Sequence, residues 1–224
     1  IDDLRNGLLV SCQPVPDGPM DTAEIVVGLA LAALAGGARA LRIESLAYLR
    51  AVRPTTNAPI VGIIKRAYAG FEPYITPTAR DDRAVLATGC EIVAFDATGR
   101  ALPGDGSAEE IVRAIRDGGA LAMADCAAVA DGPAALAAGA QILATTLCGY
   151  TPASAGAALP ALDLVREFAQ LDAFVICEGG IHRPESGREA LDAGADAVVV
   201  GTAITGIPWL VGEFSAALAK GTTR

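Results

Sequence analysis

Short apolar runs alternate with alanine-rich stretches along the whole chain, and the alternation repeats. Four segments share one form: Gly37-Ala38-Arg39-Ala40-Leu41-Arg42-Ile43, Gly89-Cys90-Glu91-Ile92-Val93-Ala94-Phe95, Gly139-Ala140-Gln141-Ile142-Leu143-Ala144-Thr145 and Gly194-Ala195-Asp196-Ala197-Val198-Val199-Val200. Each has a helix-like stretch before its glycine and a β-like run after it. Glycine in that place is the usual helix terminator, because it accepts the left-handed conformation of the C′ position. The glycines lie 52, 50 and 55 residues apart. That interval holds two βα units, and a second apolar run sits in or before each. Together the runs predict eight strands, at 7–12, 40–43, 60–65, 91–97, 121–126, 141–147, 174–179 and 197–204. Helices are expected near 21–36, 45–53, 79–89, 107–118, 128–138, 159–170, 184–194 and 207–219. Strand followed by helix eight times, with short connections, predicts an α/β fold of the (β/α)₈ or TIM-barrel type. An open doubly wound sheet is the competing architecture, but no strand is followed by G-x-G-x-x-G and the regular repeat favours closure. Proline and glycine gather at the connections and no linker divides the chain, so residues 1–224 read as one domain.

Two strands end on charges that share a face with apolar residues. Val61, Ile63 and Lys65 alternate along one, and Phe174, Ile176 and Glu178 along another. An ammonium aligned with buried side chains loses hydration, and its pKa falls toward the range useful for proton transfer. A lysine and a glutamate at the mouths of two buried strands therefore point to acid-base chemistry. The plainer reading is a charged strand end meeting water. In this fold the site lies at the C-terminal ends of the strands, which read in order Gln13, Arg42, Lys65, Asp96, Asp125, Thr146, Glu178 and Thr202. Arg42 with Asp125 also reads as an ordinary ion pair, and Asp96 as a cap for the loop after it. The last two strands run into Glu178-Gly179-Gly180 and Gly201-Thr202-Ala203. Glycines there let backbone N–H groups approach an anion, so Gly179, Gly180, Gly201 and Thr202 are candidate phosphate ligands.

Composition narrows the partners. The formal net charge is −9, which argues against nucleic acid and against an anionic membrane surface. It does not bar a small phosphorylated ligand, which needs only a local cluster of donors. The longest uncharged apolar run, 25–38, has fourteen residues, too few to cross a bilayer. Five cysteines, an odd count without C-x-x-C spacing, read as reduced thiols in a cytoplasmic protein. His182 is the only histidine, so no metal site is expected. It stands two residues before Pro184, which points to a structural role at the start of a helix.

Further motifs connect these ends. Ser11-Cys12-Gln13-Pro14-Val15-Pro16, Gly62-Ile63-Ile64-Lys65-Arg66, Ile75-Thr76-Pro77-Thr78, Asp96-Ala97-Thr98, Met123-Ala124-Asp125-Cys126, Thr145-Thr146-Leu147-Cys148-Gly149-Tyr150-Thr151-Pro152 and Glu178-Gly179-Gly180-Ile181-His182 stand in unbroken order. The set, running from about residue 7 to 205, resembles the N-acylglucosamine-6-phosphate 2-epimerase family. The resemblance implies a TIM barrel without a cofactor. It also implies interconversion of N-acetylmannosamine 6-phosphate and N-acetylglucosamine 6-phosphate in bacterial sialic-acid breakdown. The chain departs from the family at Gly180 and Gly206, where the family often has arginine, at Cys148 in place of serine, and at Ala67 in place of aspartate.

The implied reaction removes the C2 proton of an open-chain 2-acetamido aldose and returns it on the opposite face. It needs a base, an acid and donors for the developing oxyanion. Lys65 and Glu178 would supply the first two. Arg42 would hold charge on the enolate oxygen or orient a carboxylate. Asp125 would bond a sugar hydroxyl or position Lys65, Gln13 would contact the N-acetyl group or a hydroxyl, and Thr146 would join them in binding substrate. Two other functions compete: a Schiff-base lyase with Lys65 as nucleophile, and a non-catalytic sugar-phosphate sensor.

Assembly has its own signal. The helix around 25–35 is apolar on nearly every face, and such a helix needs cover all round. Residues 207–211 are apolar too and include Trp209, the only tryptophan. Aromatic anchors are enriched at interfaces, and the resembled family is generally dimeric through its last helix. A homodimer with Trp209 at or near the contact is expected.

Overall fold

The computed structural model describes residues 1–104 and 106–219. Eight strands form: β1 (Gly7–Cys12), β2 (Ala40–Glu44), β3 (Ile60–Ile63), β4 (Ile92–Asp96), β5 (Leu121–Asp125), β6 (Ile142–Ala144), β7 (Phe174–Glu178) and β8 (Ala197–Val200). Each pairs in parallel with the next and β8 pairs with β1, closing a barrel. The helices are α1 (Ala23–Ala35), α2 (Leu46–Val52), α3 (Ala79–Leu86), α4 (Ala108–Asp117), α5 (Asp131–Ala137), α6 (Leu162–Phe168), α7 (Pro184–Asp192), α8 (Thr202–Thr205) and α9 (Ile207–Ala219). The fold is the expected TIM barrel.

The strand side chains sort by parity, as closure demands. Leu9, Val61, Ile63, Ala94, Met123, Ile142, Ile176 and Val199 fill the barrel. Their neighbours Val10, Leu41, Ile43, Val93, Phe95, Leu143 and Val175 face outward and pack against the helices. Burying each such large side chain stabilises the fold by roughly 1.5–3 kcal/mol relative to exposure. The four repeat glycines, Gly37, Gly89, Gly139 and Gly194, have φ of 102°, 81°, 97° and 109°, so each takes the left-handed turn that ends a helix. Helix starts are capped by side chains: the oxygens of Thr22, Ser45, Thr78 and Ser107 accept the backbone N–H of Ile25, Tyr48, Asp81 and Glu110.

Three strands stop two or more residues short of the apolar runs that predict them. β3 ends at Ile63 because Ile64 and Lys65 turn away to meet the next loop, whose Thr76 N–H donates to the Ile64 carbonyl (2.7 Å). β6 ends at Ala144, beyond which the Thr145 and Thr146 hydroxyls bond to Glu178 and Asp125 on the neighbouring strands. The last run breaks at Gly201, and Thr202–Thr205 wind into α8 although Thr, Ala and Ile continue the apolar pattern.

The outer layer is uneven. Of α1 only Val26 and Ala30 are buried, and α9 buries none of its residues. Among the described residues no helix is long and apolar enough to cross a membrane.

Candidate active site

The inward columns of side chains continue past the hydrophobic filling and turn polar at the C-terminal rim. Arg42 stands above Ala40, Lys65 above Ile63, Asp125 above Met123 and Glu178 above Ile176, each two residues on and so on the same face. There a cavity of about 360 Å³ opens, lined by Gln13, Arg42, Lys65, Thr146 and Glu178. Gly179, Gly180, Gly201 and Thr202 line it as well. Of the strand-end residues Asp125 and Asp96 are absent from the lining; Asp125 is completely buried beneath the floor. Asp96 turns into its own loop, where its carboxylate accepts the Thr98 N–H (3.1 Å) and hydroxyl (2.6 Å) and pairs with Arg100 (2.7 Å).

One guanidinium serves two carboxylates. Arg42 Nη2 donates to Asp125 Oδ2 (2.6 Å), while its Nη1 donates to Asp125 Oδ1 (3.1 Å) and Glu178 Oε2 (2.9 Å). The Thr146 hydroxyl donates to Asp125 Oδ1 (2.6 Å) and approaches Glu178 Oε2 (3.3 Å). The Glu178 backbone is pinned to β6 as well: its N–H donates to Thr145 Oγ1 (3.0 Å), and that hydroxyl donates to the Glu178 carbonyl (2.9 Å). Burial opposes the charge on Arg42, but Asp125 and Glu178 outweigh it and hold the pKa above the ordinary value. Burial, reinforced by Asp125, pushes the Glu178 carboxyl up to about 7 against the pull of Arg42, Thr146 and Lys65.

Lys65 is reached from the open cavity rather than buried, as an exposed residue. The surrounding protein still desolvates its ammonium, and this, with the Arg42 charge nearby, lowers its pKa. Glu44, at the end of β2, opposes that shift and accepts the Lys65 backbone N–H at 3.4 Å. The pKa values of the lysine and the glutamate thus move toward each other, as an acid-base pair requires.

Several lining residues were given no place in the site by the sequence. The β3–α3 loop folds back, with the Arg66 N–H on the Tyr74 carbonyl (2.8 Å), and so carries Tyr74 and Ile75 to the cavity. Its base is anchored on buried Asp81, which accepts from Arg66, from the Tyr68 hydroxyl (2.9 Å) and from the Thr78 hydroxyl (2.7 Å). Tyr150, His182 and Trp209 complete the mouth. The His182 and Trp209 rings stack with centroids 4.7 Å apart. Trp209, expected at a subunit contact, therefore lines the cavity, and so does His182.

The two glycines that depart from the resembled family are closed to side chains. Gly180 has φ 73°, and a Cβ there would stand 2.4 Å from Leu159 Cβ. At Gly206 a Cβ would meet the Thr202 carbonyl oxygen at 2.6 Å. All five cysteines are free and buried. Among the described residues no group of three or more His, Cys, Asp and Glu side chains is arranged to hold a metal ion.

Comparison with known proteins agrees along the whole length. The family described as "Putative N-acetylmannosamine-6-phosphate epimerase" matches residues 26–220. A protein of Yersinia pseudotuberculosis named "Putative N-acetylmannosamine-6-phosphate 2-epimerase" is 46% identical over 221 residues, covering 99% of this chain and 94% of its own. The solved N-acetylmannosamine-6-phosphate 2-epimerase from Clostridium perfringens superposes with a TM-score of 0.93 at 38% identity, covering 96% of this chain and 95% of that one. Thiamine phosphate pyrophosphorylase from Pyrococcus furiosus, at TM-score 0.63 and 18% identity, shares the barrel alone. A rim of matching motifs, a closed barrel beneath it and near-complete alignment with these relatives lead to one assignment: the chain belongs to the N-acetylmannosamine-6-phosphate 2-epimerase family.

Proposed function

We propose that the protein interconverts N-acetylmannosamine 6-phosphate and N-acetylglucosamine 6-phosphate by inverting C2 of the open-chain sugar. The observation that carries this reading is the cavity shared by Lys65 and Glu178, two groups whose pKa values are displaced toward neutrality from opposite sides. In an eight-stranded barrel β3 and β7 lie opposite each other, so the two side chains approach a substrate from different faces. One removes the C2 proton, made acidic by the C1 aldehyde, and the other delivers a proton to the far side. The bonds from Arg42 and Thr146 fix the Glu178 carboxylate in one orientation, and Asp125 acts by holding Arg42. Gln13, whose amide is set by a 2.7 Å bond to Ser11 Oγ, faces the N-acetyl group or a hydroxyl. Backbone N–H groups of Gly179, Gly180, Gly201 and Thr202 receive the phosphate. The enzyme works in the cytoplasm, in amino-sugar catabolism, as a homodimer joined through the apolar faces of α1 and α9.

Proton NMR of N-acetylmannosamine 6-phosphate with the enzyme in D₂O tests the reaction. The C2 proton is expected to be replaced by deuterium while the epimer appears. Absence of both would overturn the assignment, and epimerisation without solvent exchange would overturn the open proton transfer.

A further inference from the structure

Resting on that reading, the cavity can be asked which side chain meets the phosphate. Among the described residues, three basic side chains line it: Arg42, Lys65 and His182. The Arg42 guanidinium is fully buried and committed to Asp125 and Glu178. Lys65 stands on the β3 side, opposite the loops that follow β7. A lysine that reaches C2 from there does not also reach a phosphate lying over those loops. His182 remains. It lies two residues beyond Gly180, on the same loop, and is exposed toward solvent.

Its ring is held in place. The Trp209 indole lies 4.7 Å from the imidazole, centroid to centroid, at an interplanar angle of 36°. Trp209 itself is half-buried and belongs to the first turn of α9, just beyond Gly206. The indole packed beside it limits the rotamers the imidazole can sample. Imidazole offers one N–H donor when neutral and two when charged, so it can bond a phosphate oxygen in either state. Backbone N–H groups are fixed donors on the main chain; a histidine beside them adds a side-chain donor that reaches out over the bound group.

We infer that His182, braced by Trp209, is the side-chain ligand of the substrate's phosphomonoester, and that this pair sets the preference for a phosphorylated sugar. Tight binding at this end would then come from one loop histidine and one helix tryptophan added to the glycine amides.

Calorimetric titration of wild type, His182→Gln and His182→Lys with N-acetylmannosamine 6-phosphate tests the inference, with inorganic phosphate as a second titrant. A lost hydrogen bond to a charged group predicts that His182→Gln weakens the phosphorylated sugar by roughly ten- to a hundredfold. Inorganic phosphate is expected to weaken in parallel, and His182→Lys is expected to recover most of the loss. Trp209→Ala is expected to weaken both titrants less than His182→Gln does. Wild-type affinity in His182→Gln, or a loss that lysine does not recover, would overturn the assignment, since a merely structural histidine is not replaced by a flexible cation. Failure of wild type to bind either titrant would overturn it too. If binding depends on His182 as described but no C2 exchange occurs, the proposed reaction fails and the phosphate ligand stands.

Discussion

Lys65 and Arg42 are both rim cations, yet their removal has opposite structural consequences. Lys65 is open to the cavity, so Lys65→Ala deletes a proton-transfer group without stranding a buried charge. Its melting temperature is expected to stay near wild type while C2 exchange falls by roughly 10²–10⁴-fold. Glu178→Gln, nearly isosteric, is expected to lose as much activity. Retention of more than about a tenth of wild-type kcat by either variant would remove its catalytic role. Arg42→Ala instead leaves Asp125 and Glu178 facing each other without their common partner. Breaking a buried ion pair costs roughly 3–5 kcal/mol, so this variant is expected to be inactive and destabilised together, which chemical denaturation would measure.

The Thr146 hydroxyl provides a subtler probe, because its bond favours the ionised form of Glu178 and holds that pKa down. Thr146→Val removes the bond, so the limb of the kcat/KM profile that reports Glu178, near pH 7 in wild type, is expected to move to higher pH. A shift to lower pH, or none, would show that another group controls that limb. Lys65 and Glu178 were legible because a charge that closes an apolar alternation is a local pattern. The Arg42–Asp125 ion pair, 83 residues apart, was legible as one of two readings, but not that the same guanidinium also takes Glu178, since the sequence does not say which carboxylates a buried arginine gathers. Tyr74 lies in a loop without periodicity, and His182 meets Trp209 only through tertiary packing.

At the scale of elements, all eight strands and every helix but the short α8 were legible in order, because Gly-terminated alanine-rich helices and short apolar runs are strong local signals. The ends were not. Glycine and threonine at 201–202 continue an apolar run yet start a helix, and the Lys65 segment leaves its strand to pair with Ile75. One helix also carries a conflict that its pattern hides. Asp82 of α3 is fully buried, and neither carboxylate oxygen has a hydrogen-bond partner among the described residues. Burial, together with the neighbouring Asp81 charge, raises its pKa to about 9. The folded value lies above the unfolded one, so the folded state binds a proton that the unfolded state releases. Stability is therefore greatest below the unfolded pKa near 3.8 and is lost as pH rises toward about 9. Asp82→Asn is expected to flatten this part of the pH dependence and to stabilise the protein at pH 7 by roughly 2–4 kcal/mol. Parallel curves for the two proteins between pH 5 and 8, followed by thermal denaturation, would show that Asp82 is ionised at no cost in the native state.

At the scale of the whole molecule, one barrel leaves apolar surface uncovered. Ile207, Val211, Phe214 and Leu218 of α9 are 45%, 57%, 66% and 77% exposed, and Leu31 on α1 is 43% exposed. The four α9 residues recur at helical spacing and form a stripe, and a stripe of that kind on a helix with no fully buried residue marks a contact surface. The charge of −9 keeps such a surface from nucleic acid or anionic lipid but does not oppose association through the stripe itself. A second copy supplies a matching apolar face by symmetry, since a two-fold contact uses the same patch twice. The proposed dimer has a direct consequence for the cavity, because Trp209 lies at the start of this helix and covering α9 steadies the wall that holds His182. Light scattering at micromolar concentration is expected to give about twice 22.6 kDa. Phe214→Glu, which puts a charge at the centre of the stripe without touching the core, is expected to return the mass to that of a single chain while the fold persists by circular dichroism. It is also expected to raise KM for the phosphorylated sugar more than it lowers kcat. A wild-type mass near 22.6 kDa would end the dimer proposal, and a monomeric Phe214→Glu with unchanged KM would separate the assembly from the site.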